Sequence, residues 1–489
     1  MSNYDAIVIG SGPSGSVAGA YLAKGGLKTA VLESGSFVGG TRVGGFERDG
    51  FRLDRHIHVL LWCLSLNDGH GNFPVATKEL GAPCRFQVLP PNAIWMNATE
   101  DTPGQELLLP RFGSGRAVAE WIGVLVGGQL PEESQVAFAK VMDEASSYNW
   151  ETLWSAEFEE MPAIDWLKSI TDDAVVEMLL RHLCAMDMVV PDEISLERCS
   201  ARSLAACVLA GEFGQRHMCV TSTDGPADTL IEGVCKVITE NGGEIFLNHP
   251  AKRIVYEGDR VSGVVVADET GKEETWNCKY VIDATNWTAT EKLIDEGMTP
   301  QIRECLDSLG KTKTIALDAH IGLDKKCINN LSMQCMMVDD SLNYDGVIAT
   351  FTNLTQHWAP EGKQAVNSEL FLWPEEYAKK SPEEWYAQMV HAVYKRWPET
   401  KEHTIWEEHF YEEAPVHHGI YTCKRLPNDS GVKGLYFAGD QTVGTGYFFD
   451  GAVGSGAKAA KMILNLENKE FYKKNPPYQV AAPDPTFSY

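Results

Sequence analysis

The run Tyr4-Asp5-Ala6-Ile7-Val8-Ile9-Gly10-Ser11-Gly12-Pro13-Ser14-Gly15, followed by a small-residue stretch and then Thr29-Ala30-Val31-Leu32-Glu33, decides how the rest of the chain is read. Ala6–Ile9 is short, apolar and partly β-branched, the pattern of a parallel strand buried on both faces. Gly10, Gly12 and Gly15 give G-x-G-x-x-G where the strand turns into a helix opened by Pro13 and Ser14. The first glycine permits a tight turn, the second lets backbone approach a pyrophosphate, and the third lets the helix pack closely on the strand. The helix N-terminus adds unpaired N–H groups and a positive dipole end. Thr29–Leu32 reads as a second strand delivering Glu33, eighteen residues after Gly15, with Ser34 behind it. A carboxylate there accepts both hydroxyls of an adenosine ribose and repels a 2′-phosphate.

Bulk properties narrow the classes. At 489 residues the chain exceeds one ordinary core, so two closely packed domains are expected. Hydrophobic content of 44% and charged content of 22% are those of a globular protein. The net charge of −26 repels nucleic acid and anionic lipid and speaks against either as partner. The 12 cysteines are scattered singly without C-x-x-C or metal-site spacing, so no metal is expected and the thiols suit a reducing cytoplasm. The N-terminus lacks a signal-peptide pattern, and no apolar run approaches the length that spans a bilayer. A cytoplasmic protein is expected.

Along the chain, Gly39, Gly40, Thr41 and Arg42 follow Glu33 closely, and a hairpin turned at Asp49-Gly50 leads into Arg55-His56-Ile57-His58. At strand period His56 and His58 share a face, where they either bond backbone or present an imidazole to a substrate as acid, base or orienting donor. Residues 66–214 turn helical (Arg116–Val126, Glu133–Ser146, Trp150–Glu160, Thr171–Met186), with tryptophans and methionines that pack a core or line an apolar cavity. From Thr221 the α/β pattern returns. A helix over 227–241 precedes strands at 244–247, 251–255, 259–267 and 274–280, then the buried strand ending at Ala284. Residues 301–404 bring further strands, Thr312–Ile321 and Gly346–Leu354, and a helix over Pro382–Trp397. Near the end, Gly434-Leu435-Tyr436-Phe437-Ala438-Gly439-Asp440 is a strand closing in Gly-Asp. Asp450-Gly451-Ala452-Val453-Gly454 opens a small-residue helix.

These blocks together resemble the superfamily of FAD-dependent oxidoreductases that holds phytoene desaturases, retinol saturases and flavin amine oxidases. Gly39, Gly40, Thr41 and Arg42 fall on its second phosphate-binding glycine pair. His58 falls on a histidine of its Gly-Phe-x-x-Asp-x-Gly-x-His segment, while His56 replaces the usual glycine. Ala251 falls where that family passes the adenine with backbone groups. Gly439, Asp440, Gly451, Ala452 and Val453 fall on its C-terminal flavin signature, in which the acid takes a ribityl hydroxyl and the helix aims N–H groups at the flavin ring.

The resemblance implies an α/β fold. A discontinuous Rossmann-like FAD-binding domain (residues 1–65, 215–300 and 405–466) would carry an inserted mixed helix-and-sheet substrate domain (66–214 and 301–404). Residues 467–489, rich in proline, are left as a disordered end or an arm reaching a partner subunit in a homodimer. The implied cofactor is FAD, held non-covalently, since no cysteine or histidine sits in the C-terminal motif where that family attaches it. The implied activity is hydride transfer between flavin N5 and a carbon of an apolar alicyclic, terpenoid or polyene substrate, in a desaturase, dehydrogenase or saturase. A reduced-flavin double-bond isomerase is a close variant and an amine oxidase the runner-up. A prenyl-protein carrier of the GDP-dissociation-inhibitor type is the non-enzymatic alternative, which both intact ends of the flavin motif speak against. Tyr447, Phe448 and Phe449 would stand beside the ring, Tyr447 as a catalytic candidate with His56 and His58, the phenylalanines with His418 as substrate wall.

Overall fold

Four consecutive apolar residues bury best in the middle of a parallel sheet, and Ala6–Ile9 lies there. In the computed structural model, which describes residues 3–56, 60–61, 71–88, 93–96, 105–108, 130–148, 150–153, 155–188, 195–210, 219–329, 334–337, 346–353, 358–412, 421–444 and 448–474, this strand pairs in parallel with Thr29–Leu32 on one side and Tyr280–Asp283 on the other. Glu244–Phe246 and Leu435–Phe437 extend the sheet to five strands among the described residues. Alternate side chains feed two cores. Ala6, Val8, Val31, Ile282 and Tyr436 meet the helices Pro13–Lys24, Asp228–Glu240 and Phe448–Leu466. Ile7, Ile9, Leu32, Val281 and Phe437 meet an antiparallel three-stranded sheet, Ala251–Glu257, Arg260–Ala267 and Glu273–Asn277. Each fully buried aliphatic side chain here contributes about 1.5–3 kcal/mol.

Two close backbone approaches fix the first helix. A Cβ on Gly15 would lie 1.9 Å from the Gly10 carbonyl oxygen, and one on Gly456 would lie 2.1 Å from that of Ser14. Only glycine allows the first helix to sit so near the strand turn and the closing helix, Phe448–Leu466.

Among the described residues a second sheet has seven strands, in the order Thr404–Glu412, Ile315–Leu323, Gln364–Leu372, Val347–Ala349, Gln334–Met337, Ala93–Met96, Gln105–Leu108. One face packs on the helix Pro382–Arg396, which starts at a Ser381–Glu384 capping box. The region read from sequence as helical therefore contributes two of these strands. Ala93–Met96 pairs on one side with Gln105–Leu108 and on the other with Gln334–Met337, more than two hundred residues away, a partner that leaves no local signal. The strand expected over Thr312–Ile321 is Ile315–Leu323, and that expected over Gly346–Leu354 is only Val347–Ala349 before a 3₁₀ turn. Thr404–Glu412 pairs with Ile315–Leu323 and so joins this sheet rather than the first. The helix expected over Arg116–Val126 lies outside the described residues. Asp49 and Gly50 both take positive φ (50° and 84°), as the expected hairpin requires. After the closing helix Phe471 stacks on Tyr21 (centroids 5.9 Å apart), and residues 475–489 lie outside the described ones. Among the described residues no helix is long and apolar enough to cross a membrane.

A third core joins helices of residues 130–210. It is tied to the returning segment by a buried ion triad. Glu159 bonds Arg425 Nε through Oε1 and faces Arg202 Nη1 at 3.5 Å through Oε2, and all three are at most 5% exposed. Burial alone would raise the Glu159 carboxyl, but Arg425 and then Arg202 outweigh it and hold it below its ordinary value of 4.5. A carboxyl depressed in the folded state contributes stability above its unfolded pKa, and that contribution is lost as pH falls through the folded value. Glu159→Gln, which strands two buried guanidinium groups, is expected to lower the unfolding free energy by about 3–5 kcal/mol at pH 7. Urea titration checks this, with the gap to wild type narrowing once the pH drops below 4.5.

Candidate active site

The chain turns at Gly10 (φ 97°) and enters the first helix at Gly12, which takes the N-cap position with no side chain capping it. Pro13 at the first helical position costs nothing, since its missing N–H has no partner inside the helix. The second glycine segment folds onto this corner. Gly39 N–H donates to the Ser11 carbonyl at 3.0 Å, Gly39 and Gly40 both take positive φ, and a Cβ on Gly40 would lie 3.3 Å from Gly12 Cα. A Cβ on Gly12 meets nothing within 4 Å. Two glycine corners thus meet back to back and leave open space at the positive end of a helix, which fits a diphosphate. Thr41 and Arg42 continue this segment in the one-turn helix Gly40–Val43.

Glu33 stands beside this space, 8% exposed. Its Oε2 accepts from Ser11 N–H (3.0 Å) and Ser11 Oγ (2.6 Å), and its Oε1 accepts from Gly35 N–H (2.8 Å) and Ser34 Oγ (3.3 Å). The longest of these comes from exposed Ser34 and is the contact a ribose hydroxyl would replace. His249 N–H bonds the Glu33 carbonyl and Asn248 N–H that of Gly35, both at 2.8 Å, which brings the strand starting at Ala251 alongside.

From the far end of the chain, Gly439 (φ 131°) and half-buried Asp440 follow the strand Leu435–Phe437. Gly439 N–H donates to Ser455 Oγ at 3.1 Å, and a Cβ on Gly439 would lie 4.0 Å from Ser14 Oγ. The Gly-Asp turn therefore lies against the first helix's N-terminus. Gly451, Ala452 and Val453 occupy the first turns of the closing helix. Asp450, fully buried, accepts from Asn72 N–H (3.0 Å) and Phe73 N–H (2.9 Å) and so caps the helix Asn72–Leu80. Phe449 is 2% exposed, edge-on to Phe73 at 5.0 Å, while Phe448, 8% exposed, belongs to the helical core. The two rings are packed in different cores. His58, His418 and Tyr447 lie outside the described residues.

His56 follows the hairpin Gly45–Arg48/Phe51–Asp54, 10% exposed, its Nδ1 bonded to Asp318 Oδ2. The preceding Arg55 carries its guanidinium 4.7 Å from the Phe37 ring and its carbonyl 3.1 Å from His320 Nε2. Phe37 adjoins Gly44, so this segment stays next to the second glycine corner. Asp283 ends the central sheet fully buried. Its Oδ1 accepts from Thr285 N–H (3.0 Å) and Oγ1 (2.6 Å), its Oδ2 has no hydrogen-bond partner among the described residues, and burial pushes its carboxyl up. Among the described residues no group of three His, Cys, Asp or Glu side chains is disposed to hold a metal ion.

Sequence reading did not single out Ser11, Asp283 or Asp318. Asp318 and His320 alternate with Leu317, Ala319 and Ile321, a period-two signal of two polar groups on one strand face. Nothing local tied them to His56.

A family model described as flavin containing amine oxidoreductase matches residues 13–464. The chloroplastic prolycopene isomerase of Daucus carota is 25% identical over 342 residues, 65% of this chain. The match spans about half, 52%, of that relative's length. An oxidoreductase from Methanosarcina mazei superposes with a TM-score of 0.70 at 17% identity, covering 93% of this chain and 99% of that one. Cyclohexylamine oxidase from Brevibacterium oxydans gives 0.64 at 14% identity, covering 95% and 99%. At such identities these structures speak to the fold alone.

Gly12 has φ −62°, which any residue adopts, and open space before it. Gly12→Trp is therefore expected to fold with a melting temperature close to that of the flavin-free wild type while losing the yellow colour on purification. Full retention of flavin absorbance would mean the space before Gly12 does not receive the cofactor.

Proposed function

We propose that this chain, which belongs to the family of flavin-containing amine oxidoreductases, binds FAD non-covalently and acts on a carbon of an apolar, unsaturated substrate. The observation that carries the cofactor reading is the meeting of Gly12 and Gly40 around open space at an uncapped helix end, with Glu33 fixed beside it. The substrate class is argued from the likeness to a prolycopene isomerase, which favours a polyene or related terpenoid.

When bound, the flavin supplies the two-electron chemistry. The rest falls to the protein's own groups. First-helix amides and the glycine corners would hold the diphosphate, and Glu33, releasing Ser34, the adenosine ribose. Asp440 would meet the ribityl chain, and the amides near Gly451–Val453 would face the negative edge of the ring. Ala251 would contribute backbone beside the adenine. His56, the described candidate with a buried carboxylate on its ring, would give or take the proton at the substrate, with His58 and Tyr447 as the other candidates.

Amine oxidation is the competing reading, favoured by the description of the matching family. One experiment separates the two. Denaturing the purified protein without protease should release free FAD into the supernatant, identified by chromatography. Under anaerobic conditions the oxidised protein is then mixed with cyclohexylamine, and the dithionite-reduced protein with prolycopene. The proposal expects altered polyene isomers or saturation and no bleaching by the amine. Bleaching by the amine with the polyene untouched would assign amine oxidation, and absence of any flavin would overturn both readings.

A further inference from the structure

One face of the strand Ile315–Leu323 is apolar: Leu317, Ala319 and Ile321 enter the core built with the helix Pro382–Arg396. Asp318 and His320 therefore share the other face. Antiparallel pairing sets Glu369 directly opposite Asp318 and Asn367 opposite His320. All four are at most 5% exposed. Asn367 Nδ2 donates to Glu369 Oε1 at 2.8 Å and lies 3.4 Å from Asp318 Oδ1. Two buried carboxylates in cross-strand positions repel each other and lose their hydration, so this arrangement is costly unless a positive or proton-donating group faces it. Among the described residues His56 meets Asp318, reaching across 262 residues of sequence from the hairpin beside the second glycine corner.

We propose that Asp318 is the positioning residue of His56. It fixes Nδ1 as the hydrogen-bonded ring nitrogen and directs proton exchange to Nε2, while Asn367, itself bonded to Glu369, donates to the carboxylate. This rests on the flavin-site reading above and makes His56, rather than His58, its acid–base group. When the ring gives a proton, the Nε2–H bond breaks, a bond from that hydrogen to the substrate forms, and the ring passes from imidazolium to neutral imidazole with Nδ1–H still on Asp318. Taking a proton is the reverse.

Other charged or titratable groups surround the pair. His320 and Glu369 lie on the same sheet face, and Glu408, opposite His320, is paired with Arg48 of the hairpin. Arg55 lies over Phe37 and Phe410. Tyr386 of the helix behind the sheet is raised first by burial and then by the Asp318 charge.

The test uses the flavin-loaded protein with ring-nitrogen-labelled histidine. Wild type should show a ring-attached proton far downfield of the amides, the mark of an imidazole bonded to a buried carboxylate. That resonance should vanish in His56→Gln and in Asp318→Asn and persist in His58→Gln. Asn keeps the size of Asp318, so loss of the resonance in Asp318→Asn is an effect that a merely space-filling Asp318 would not produce. Should Asp318→Asn fail to fold, the two histidine variants still decide. No such resonance in wild type, its loss in His58→Gln alone, or its persistence in Asp318→Asn overturns the proposal. The signal belongs to the protein, so a preparation that keeps it without binding flavin would fail the reading of the previous section while the His56–Asp318 pairing stood.

Discussion

The site is located by steric contact. The first helix is clamped between the Gly10 carbonyl, against which Gly15 leaves no room for a methyl group, and the closing helix, whose Gly456 rides on the Ser14 carbonyl. Because those contacts are backbone on backbone, the helix end that faces the open space before Gly12 has little freedom to shift. The Gly439 turn then rests against Ser14 and is held there by Ser455, itself bonded by Asn428 (2.9 Å). Charge enters only after this geometry is set.

The chain carries a net charge of −26, and the few acids it buries are each treated differently. Glu33 takes backbone N–H groups of the first glycine turn and of its own loop, and Asp450 takes the first amides of another helix. Glu159 takes guanidinium groups. Asp318 faces an imidazole and an amide with a second carboxylate opposite. The first two arrangements use donors that any helix or turn end must satisfy, so they add little cost. The last two remove full charges from water, so they need a reason beyond packing. For Glu159 the reason is the join between the helical region and the returning strand segment.

The sequence made the central sheet legible because its signals are local. An apolar tetrapeptide, a glycine spacing and an acid at the next strand end all fall within thirty residues, and the Asp49-Gly50 turn identifies its own hairpin. The seven-stranded sheet was harder. Thr404–Glu412, an edge strand among the described residues, carries Ile405 and Tyr411 on its exposed face and Trp406 and Phe410 on the other, so its sequence lacks the apolar alternation that marks a half-buried strand. Of the two partners of Ala93–Met96, one lies more than two hundred residues on, which no window of neighbours contains. Phe448 and Phe449 looked like one aromatic wall, yet Phe448 takes a left-handed backbone conformation (φ 51°) at the very start of the helix and the two rings enter separate cores. His56 was visible as a polar residue near the glycine corner, but its carboxylate was not, because nothing in the alternation around Asp318 says which loop will lie over it.

The cap that Asp450 places on Asn72 and Phe73 closes a loop of 378 residues. On a ribosome adding about 5–20 residues each second, the helix Asn72–Leu80 would wait on the order of a minute for its cap, and Ser14 as long for Gly456. Through that interval the first strand and helix present apolar surface that the closing helix later covers. The first helix therefore stays uncovered on that side until Phe448–Leu466 emerges, and only then do the glycine corners near the start of the chain meet the Gly439 turn.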